Sequence, residues 1–573
     1  MNATVREHRW IIAEPPEAEV VARLSKEIKV PESIAKILVF RGIDDYDKAK
    51  AYFRPSLNLL HDPFLMHDME LAVSRIIEVL QRKEKILVFG DYDVDGTNGA
   101  SMLYLFLREL GGDVGHYIPD RIKEGYGISH QGIDKARQEN RTLFISVDCG
   151  ITAVDQVKYA RDLGIDVIIC DHHEPGSILP SAYAVLDPIK PGDRYPFKDL
   201  CGCGVGFKLI QGLAKKVGKE SDISSYLDFV TLATTADIVS LKGENRVLVK
   251  IGLELLNTNP RPGIKALIET AGLKVGQITT GQIVFALAPR INAVGRLGDA
   301  MRAVRLLTSI DPSEGEHLAQ VLEEENRIRR KIDEDTFAEA QELAENVLDV
   351  KSKSAIVLHQ EYWHPGVIGI VASRMVEKYY KPSIMMSTVD GIAKGSARSV
   401  TGFDIYKALE KCEDKLIQFG GHKYAAGLTV DISRLDEFRE AFNDTVKELM
   451  TEDLKTPQIR VDTEISLSEL TPRFIRILKE FAPFGPSNMK PTFLSRNLEV
   501  RGSPRIVGAN HLKFKVRQNG ALFDAIGFGL GDLLPQVSEG RSDLECVFSV
   551  EENEWNSPTG AHTLPQLKIR DLH

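Results

Sequence analysis

The sequence predicts an α/β protein: a mainly parallel, helix-flanked sheet, a second α/β unit joined to it by a long helix, and a β-rich tail. Three observations predict it. Apolar runs of strand length alternate with helical patterns between Lys85 and Cys170. A polar-rich stretch of helical periodicity fills Ser313–Val347, and beyond Thr456 the pattern turns to that of strands.

Residues 1–80 read as helical and polar, with Pro15-Pro16 and Pro31 as breakers. Lys85–Phe89 then reads as a strand and Thr97–Leu110 as a helix, Thr142–Val147 as a strand and Asp155–Leu163 as a helix, and Asp166–Cys170 as a strand. That alternation marks residues 81–310 as a parallel-sheet domain, whose ligands gather at the carboxyl ends of its strands. In the next stretch Leu318, Val321, Ile328 and Ile332 form an apolar stripe, while Glu323–Glu325 and Arg327–Lys331 form charged faces read as solvated. Residues 311–350 are therefore expected to be a connector helix, and 351–455 a second α/β domain. The tail, 456–573, carries strand patterns such as Leu512–Val516 and Leu544–Val550, and its size suits a small barrel.

Composition sets outer bounds. A chain of 573 residues exceeds one core, and 43% hydrophobic with 27% charged residues is ordinary for a soluble protein. No apolar run reaches the ~18 residues of a membrane span, and the N-terminus lacks the basic and apolar regions of an export signal, so a cytoplasmic protein without membrane contact is expected. Six cysteines are too sparse for a disulfide framework. Cys201-Gly202-Cys203 has no second pair at zinc-finger spacing, which leaves reduced thiols. The net charge of −10 argues against bulk attraction to nucleic acid but not against a local basic channel.

The chemistry-bearing residues sit where the strands end. Ile86–Phe89 runs into Gly90-Asp91-Tyr92-Asp93-Val94-Asp95-Gly96, Ser146-Val147 into Asp148-Cys149-Gly150, and Ile169-Cys170 into Asp171-His172-His173. Thr235-Ala236-Asp237-Ile238-Val239 places another acid in an apolar stretch, where an unpaired carboxylate is costly. Asp91-x-Asp93-x-Asp95-Gly96 also matches the opening of a calcium EF-hand loop, but position 12 is Met102 and a strand precedes it. Taken alone, the segment also fits a capped strand-to-helix turn with solvated aspartates. Four segments that each deliver Asp or His to one crevice fit a pair of divalent cations better, and cations so held cut phosphate esters.

Asp-Tyr-Asp-Val-Asp-Gly, Asp-Cys-Gly, Asp-His-His and Ala236-Asp237 together resemble the four motifs of the DHH superfamily of phosphoesterases. Trp363-His364-Pro365-Gly366-Val367-Ile368-Gly369 and Gly420-Gly421-His422-Lys423-Tyr424-Ala425-Ala426-Gly427 resemble the DHH-associated domain. The order of parts is similar to that of the superfamily's bacterial exonucleases specific for single strands, over roughly residues 30–573. Ser487 and Met489 depart from the Gly and Pro usual there, and Cys203 and Gly206 from the small residues common in the Gly-rich segment.

The resemblance implies a parallel-sheet DHH domain, a DHH-associated domain and an OB-like barrel. It implies Asp93 at one cation, Asp95, His172 and Asp237 at a second, and Asp148 bridging two ions, Mn²⁺ or, more weakly, Mg²⁺. Asp91 and His173 would orient those ligands, with His173 as proton donor to the leaving group the alternative. Arg121, Arg290, Asn292, Arg296, Ser396, Arg398 and His422 would hold the substrate strand and its 5′-phosphate; His511, Lys513, Lys515 and Trp555 would track it on the barrel. The activity implied is 5′-to-3′ hydrolysis of single-stranded DNA to mononucleotides in repair and recombination, beside a single-strand-binding protein and a helicase. A DHH phosphodiesterase for short RNA or cyclic dinucleotides is the alternative enzyme, and a non-catalytic replication scaffold the alternative class.

Overall fold

The computed structural model describes residues 8–557 and 560–573, and side chains throughout these except within 553–563. Trp555 therefore lies outside the described side chains.

The first sheet has five parallel strands, in the order Asp113–Tyr117, Lys85–Gly90, Leu143–Val147, Asp166–Cys170, Ala184–Leu186. Side chains alternate along each strand, so Ile86 and Val88 enter one core while Leu87 and Phe89 enter the core on the opposite face. Both faces are covered, which is why the strands read as unbroken apolar runs. After Lys85–Gly90 the chain places its next strand on one side and the following ones on the other. The switch point this creates lies between Lys85–Gly90 and Leu143–Val147, whose ends carry Asp91 and Asp148.

The helix that follows the first strand begins earlier than its sequence pattern indicates. It spans Val94–Glu109 because the Asp93 side chain caps it, accepting from the backbone N–H of Asp95 (2.9 Å) and Gly96 (3.2 Å). Asp95 and Gly96 thus lie in its first turn. A Cβ at Gly96 would stand 2.3 Å from the Asp91 nitrogen, so only glycine allows this approach.

The connector helix runs Pro312–Asn346. Its charged faces are not simply solvated: Glu323 pairs with Arg290 and Glu325 with Arg302, while Asp333 meets Arg374 at 3.2 Å. The apolar stripe shifts accordingly. Leu318 and Leu322 are buried, Ile328 is exposed, and two polar residues take buried positions, Asn326 beside Arg329 and Asp333 beside Arg374. The second domain has a mixed sheet ordered Gln418–Gly421, Ala425–Val430, Ile392–Arg398, Ser383–Val389, Ile356–Gln360, with only the last pair parallel.

In the tail, Phe493–Val507, His511–Gln518, Ala521–Gly527, Gly560–Leu572 and Leu544–Ser557 pair in that order, and the last closes on the first. The result is a closed barrel of five strands. The helices Ala18–Ile28, Glu32–Phe40 and Tyr46–Phe53 share this barrel's core, whereas Met69–Arg82 packs on the parallel sheet. All six cysteines are free and buried. Among the described residues no helix is long and apolar enough to cross a membrane.

A buried arginine joins catalytic domain, N-terminal helices and tail. Arg246, on the helix Gly243–Thr258, donates to the carbonyls of Tyr52 (3.0 Å), Phe481 (2.9 Å) and Ala482 (3.1 Å), and its guanidinium lies 3.7 Å from the Tyr52 ring centre. Asn488 completes the knot by donating to the carbonyls of Phe481 (2.9 Å) and Pro483 (2.6 Å). Hydrogen bonds to a charged donor contribute about 1.5–3 kcal/mol each, and a buried carbonyl left unpaired adds its own cost. Arg246→Ala should therefore lower the melting temperature and speed proteolysis at 480–491, as differential scanning fluorimetry and timed digestion would report.

Candidate active site

Each acidic segment arrives from a different element, and they meet at the switch point. Donor atoms of Asp91, Asp93 and Asp148 lie within 4.8 Å of one another, and so do those of Asp95, His172 and Asp237. A third such group, Asp148, His172 and His173, joins the two. His172 Nε2 stands 3.1 Å from Asp148 Oδ1, 3.7 Å from Asp237 Oδ2 and 3.8 Å from Asp95 Oδ2. The metal-ligand positions expected from the sequence are thus brought together, with Asp148 between the two halves.

Local backbone explains how. Asp148 adopts φ 64°, a left-handed conformation that aspartate tolerates better than most residues. Asp237 caps the C-terminus of the helix Leu227–Ala236. Asp95 accepts from the backbone N–H of Gly202 (2.6 Å) and Cys203 (2.7 Å), the first turn of the helix Gly202–Val217, where the helix dipole favours negative charge. A Cβ at Gly202 would fall 2.6 Å from the Asp148 Cα. These backbone donors were not legible in the sequence beyond the Gly-rich character of residues 202–206.

The electrostatics fit a cation. Burial and the neighbouring Asp93 raise Asp91, and burial with Asp95, Asp93 and Asp237 raises Asp148. Burial with Asp95 and Asp93 raises Asp237, and Asp95 is pushed up to about 6 by burial and Asp93. Asp91 Oδ1 and Asp237 Oδ2 are buried without a hydrogen-bond partner. Burial, reinforced by the charge on His173, pushes His172 down to about 4 and keeps its imidazole neutral, the form that binds metal. Carboxylates that repel one another around a neutral imidazole are a donor set for Mn²⁺ or Mg²⁺.

Asp171 has a different task. Its carboxylate accepts from the backbone N–H of Ile151 (2.8 Å) and His172 (2.8 Å) and from His173 Nδ1 (2.8 Å). Burial opposes its charge, but the hydrogen bond and charge of His173 outweigh burial and hold it below the usual range. Burial likewise disfavours the His173 cation, yet Asp171 raises it to about 9. Asp171 thus holds the His173 ring in place, while Asp91 and His173, expected to orient the ligands, each lie within one of the ion-binding groups. The Tyr126 hydroxyl, which the sequence did not single out, stands 3.2 Å from the His173 ring nitrogens.

The chain's parts match known proteins in the same order. Residues 85–234 match the model of the DHH family N-terminal domain, 352–448 that of the DHHA1 domain, and 461–571 that of the RecJ OB domain. The single-stranded-DNA-specific exonuclease RecJ of Bacillus subtilis is 38% identical over 98% of this chain and 70% of its own length. That of Thermus thermophilus is 32% identical over 98% of this chain and 78% of its own. The chain belongs to the RecJ family. The crystal structure of Thermus thermophilus RecJ in complex with Mn²⁺ superposes with a TM-score of 0.84 at 29% identity, covering 99% of this chain and 79% of that one. Its Mg²⁺ complex gives 0.78 at 28% identity, over 98% and 78%. The divalent-cation requirement of the RecJ family and the acidic crevice described here agree.

Beside the crevice lies a cluster of arginines. Burial and the mutual charge of Arg121, Arg329 and Arg398 press Arg296 down to about 10, and burial with Arg121 lowers Arg398. Among the described residues none of Arg121, Arg296 and Arg398 has a carboxylate within ion-pair distance. Arg121 lies 4.9 Å over the Tyr92 ring, and Arg296 donates to the Gly366 carbonyl (2.8 Å) in the second domain. Arg398 donates to Ser396 Oγ (3.1 Å). Arg121 and Arg296 line one cavity of about 350 Å³. Arg329, on the connector helix, is an addition to the predicted set.

Not every candidate joins them. Arg290 is tied to Glu323 and to the Ala286 carbonyl (2.6 Å), and Asn292 accepts from the Val94 N–H (3.1 Å), bracing the acidic loop. His422 sits exposed on the Gln418–Gly421/Ala425–Val430 turn, its own N–H bonded to the Ala425 carbonyl (2.8 Å).

The chelated protein should lose stability as pH rises. A carboxylate whose folded pKa is raised stabilises the fold below its unfolded value, and that contribution is lost as pH climbs through the folded one. The same holds for His173, between its unfolded ~6.5 and about 9. Between these limits the His173 contribution is lost, so melting temperature in EDTA should fall from pH 6.5 to 9, and Mn²⁺ should restore it by more at the higher pH. Equal restoration at both pH values would contradict the assignment.

Proposed function

We propose that this RecJ-family chain, a single-stranded-DNA-specific exonuclease, degrades its strand from the 5′ end with two divalent cations held about Asp148. One observation carries this reading: two ion-binding groups joined through Asp148 open beside arginines that have no carboxylate partner.

Asp93 with Asp148 would hold one ion, and Asp95, His172 and Asp237 with Asp148 the other; Asp91 stands close enough to complete the first. Two such cations supply Lewis acidity and a nucleophile at neutral pH. The protein contributes the rest. Asp95 is fixed by the helix Gly202–Val217, so its carboxylate needs no reorganisation when substrate binds. The terminal phosphate is received by Arg121, Arg296 and Arg398, with the Ser396 hydroxyl beside them, and guanidinium forks suit its oxygens. An end-binding pocket next to the ion groups puts the first phosphodiester at the point of cleavage, which gives 5′-to-3′ polarity and mononucleotide products. His173, held cationic by Asp171, faces the Asp148 carboxylate at 4.0 Å and can donate a proton to the departing 3′-oxygen.

The barrel extends the strand's path. Lys513 pairs across to Ile526 and Ile526 to Lys568 on the outer face, with His511 edge-on to Phe528 at 5.0 Å. Lysines with aromatic rings beside them suit a single strand. A dinucleotide enzyme would have no use for this surface, which disfavours that alternative. A helicase and a single-strand-binding protein are the partners such an activity calls for.

Asp148→Ala should reduce hydrolysis of a 5′-phosphorylated strand by at least about 10³-fold while leaving single-strand binding measurable by anisotropy. Near-normal turnover would overturn its bridging role. Removing the 5′-phosphate should raise KM, and Arg398→Ala should erase that difference. A circular strand should resist cleavage altogether; its digestion would contradict end recognition.

A further inference from the structure

The loop 118–129 joins the strand Asp113–Tyr117 to the helix His130–Gln138 and carries two groups to the crevice. Arg121 lies over Tyr92 among the arginines, and the Tyr126 hydroxyl meets His173. The middle of the loop is short of packing. Ile118 and Ile128 are buried at its ends, but Ile122 is 53% and Tyr126 56% exposed. Gly125 and Gly127 adopt φ 84° and 91°, with open space where a Cβ would stand. On another side, the cavity of about 350 Å³ separates residues 118–122 from 295–301. Apolar contact therefore does little to hold Arg121 in place.

Glu124 holds it instead. Its carboxylate accepts from the Asp120 N–H (2.8 Å), the Ser129 hydroxyl (2.6 Å) and the Tyr117 hydroxyl (3.0 Å). Its own N–H donates to the Asp120 carbonyl (2.8 Å). One side chain thus closes the turn 120–124 around Arg121 and ties it to both ends of the loop. Ser129 is fixed in turn as the N-cap of His130–Gln138, where its hydroxyl oxygen accepts from the Gly132 N–H (3.0 Å). All three donors to Glu124 are neutral. Lys123 turns to Asp120 (3.8 Å), and among the described residues no cation stands within ion-pair distance of Glu124. A Glu124–Arg121 pair would fix the loop as well, but it would occupy the guanidinium fork that a phosphate needs.

We infer that Glu124 is a positioning residue for end recognition: it fixes the loop that presents Arg121 to the terminal phosphate, and so sets the preference for a 5′-phosphorylated end. The inference rests on the exonuclease reading above and deepens it. A guanidinium–phosphate contact depends on alignment, so an Arg121 free to wander loses most of it. The His173 ring is held by Asp171 and not by this loop, so the chemical step should depend little on Glu124.

The test uses the full chain with Mn²⁺ and oligodeoxythymidine bearing a 5′-phosphate or a 5′-hydroxyl. Glu124→Ala should raise KM for the phosphorylated strand by roughly 10- to 100-fold, the effect of losing one charge-assisted hydrogen bond. KM for the hydroxyl strand should stay within about twofold, and kcat within about threefold. Glu124→Gln should restore KM, because its amide oxygen can keep the Asp120 N–H while its amide nitrogen donates to Ser129. Adding Glu124→Ala to Arg121→Ala should raise KM no further. Tyr117→Phe, which keeps the ring stacked on Phe89 (5.8 Å), should narrow the phosphate preference in the same sense, whether or not Glu124→Ala folds. Equal rises on both strands, failure of Glu124→Gln to rescue, or additivity with Arg121→Ala would each overturn the inference and assign Glu124 to stability alone. A wild-type chain indifferent to the 5′-phosphate would overturn the parent reading and this one with it. A discriminating wild type with an equally discriminating Glu124→Ala would overturn this one only.

Discussion

Like-charge repulsion among buried carboxylates is the constraint on which the rest of the structure depends. Asp91, Asp95 and Asp148 are almost wholly buried at the ends of strands and a helix, close enough that each opposes ionisation of the next. Such a cluster is untenable as a set of free anions. It becomes tenable when cations occupy it, and its persistence requires a scaffold that overrules the local preference of every segment. A parallel sheet buried on both faces provides that rigidity. Helix N-termini provide partial positive charge where side-chain cations are absent.

Neighbouring groups are graded by the same electrostatics. Two adjacent histidines, His172 and His173, have opposite protonation at neutral pH, because Asp171 is bonded to one and not to the ring of the other. The neutral ring is free to ligate; the charged ring is suited to meet a leaving group. Arginines lie just outside, and their repulsion is the mirror image of the carboxylates'. A phosphodiester strand, anionic throughout, relieves the second imbalance, while divalent cations relieve the first. The site is therefore a pair of unsatisfied charge clusters of opposite sign, placed side by side across the boundary of two domains.

Polar knots join apolar contact in holding those domains together. Arg246 and Asn488 collect carbonyls from the segment Phe481–Pro483 and tie it to Tyr52 and to the catalytic domain. The connector helix is fastened by ion pairs from Glu323, Glu325 and Asp333, so Glu323 and Glu325, which a periodicity argument assigns to solvent, act as clamps. Such contacts set relative orientation closely, because their geometry is directional where hydrophobic contact is not.

The sequence alone determined the order of elements, the strand ends that carry chemistry and the identity of the acidic and histidine donors. These follow from local signals: apolar runs of strand length, carboxylates immediately after them and motifs that lie within a few residues. What only the tertiary structure decided is of another kind. Asp93 as a helix cap, the backbone N–H groups of Gly202 and Cys203 on Asp95, and Asp171 as the anchor of His173 depend on short distances between segments remote in sequence or on backbone conformation. Arg290 looked like a phosphate ligand, but the connector helix supplies Glu323 and ties it down. Residue type and spacing report what a side chain can do; which partner reaches it first depends on packing, and packing has no local signature.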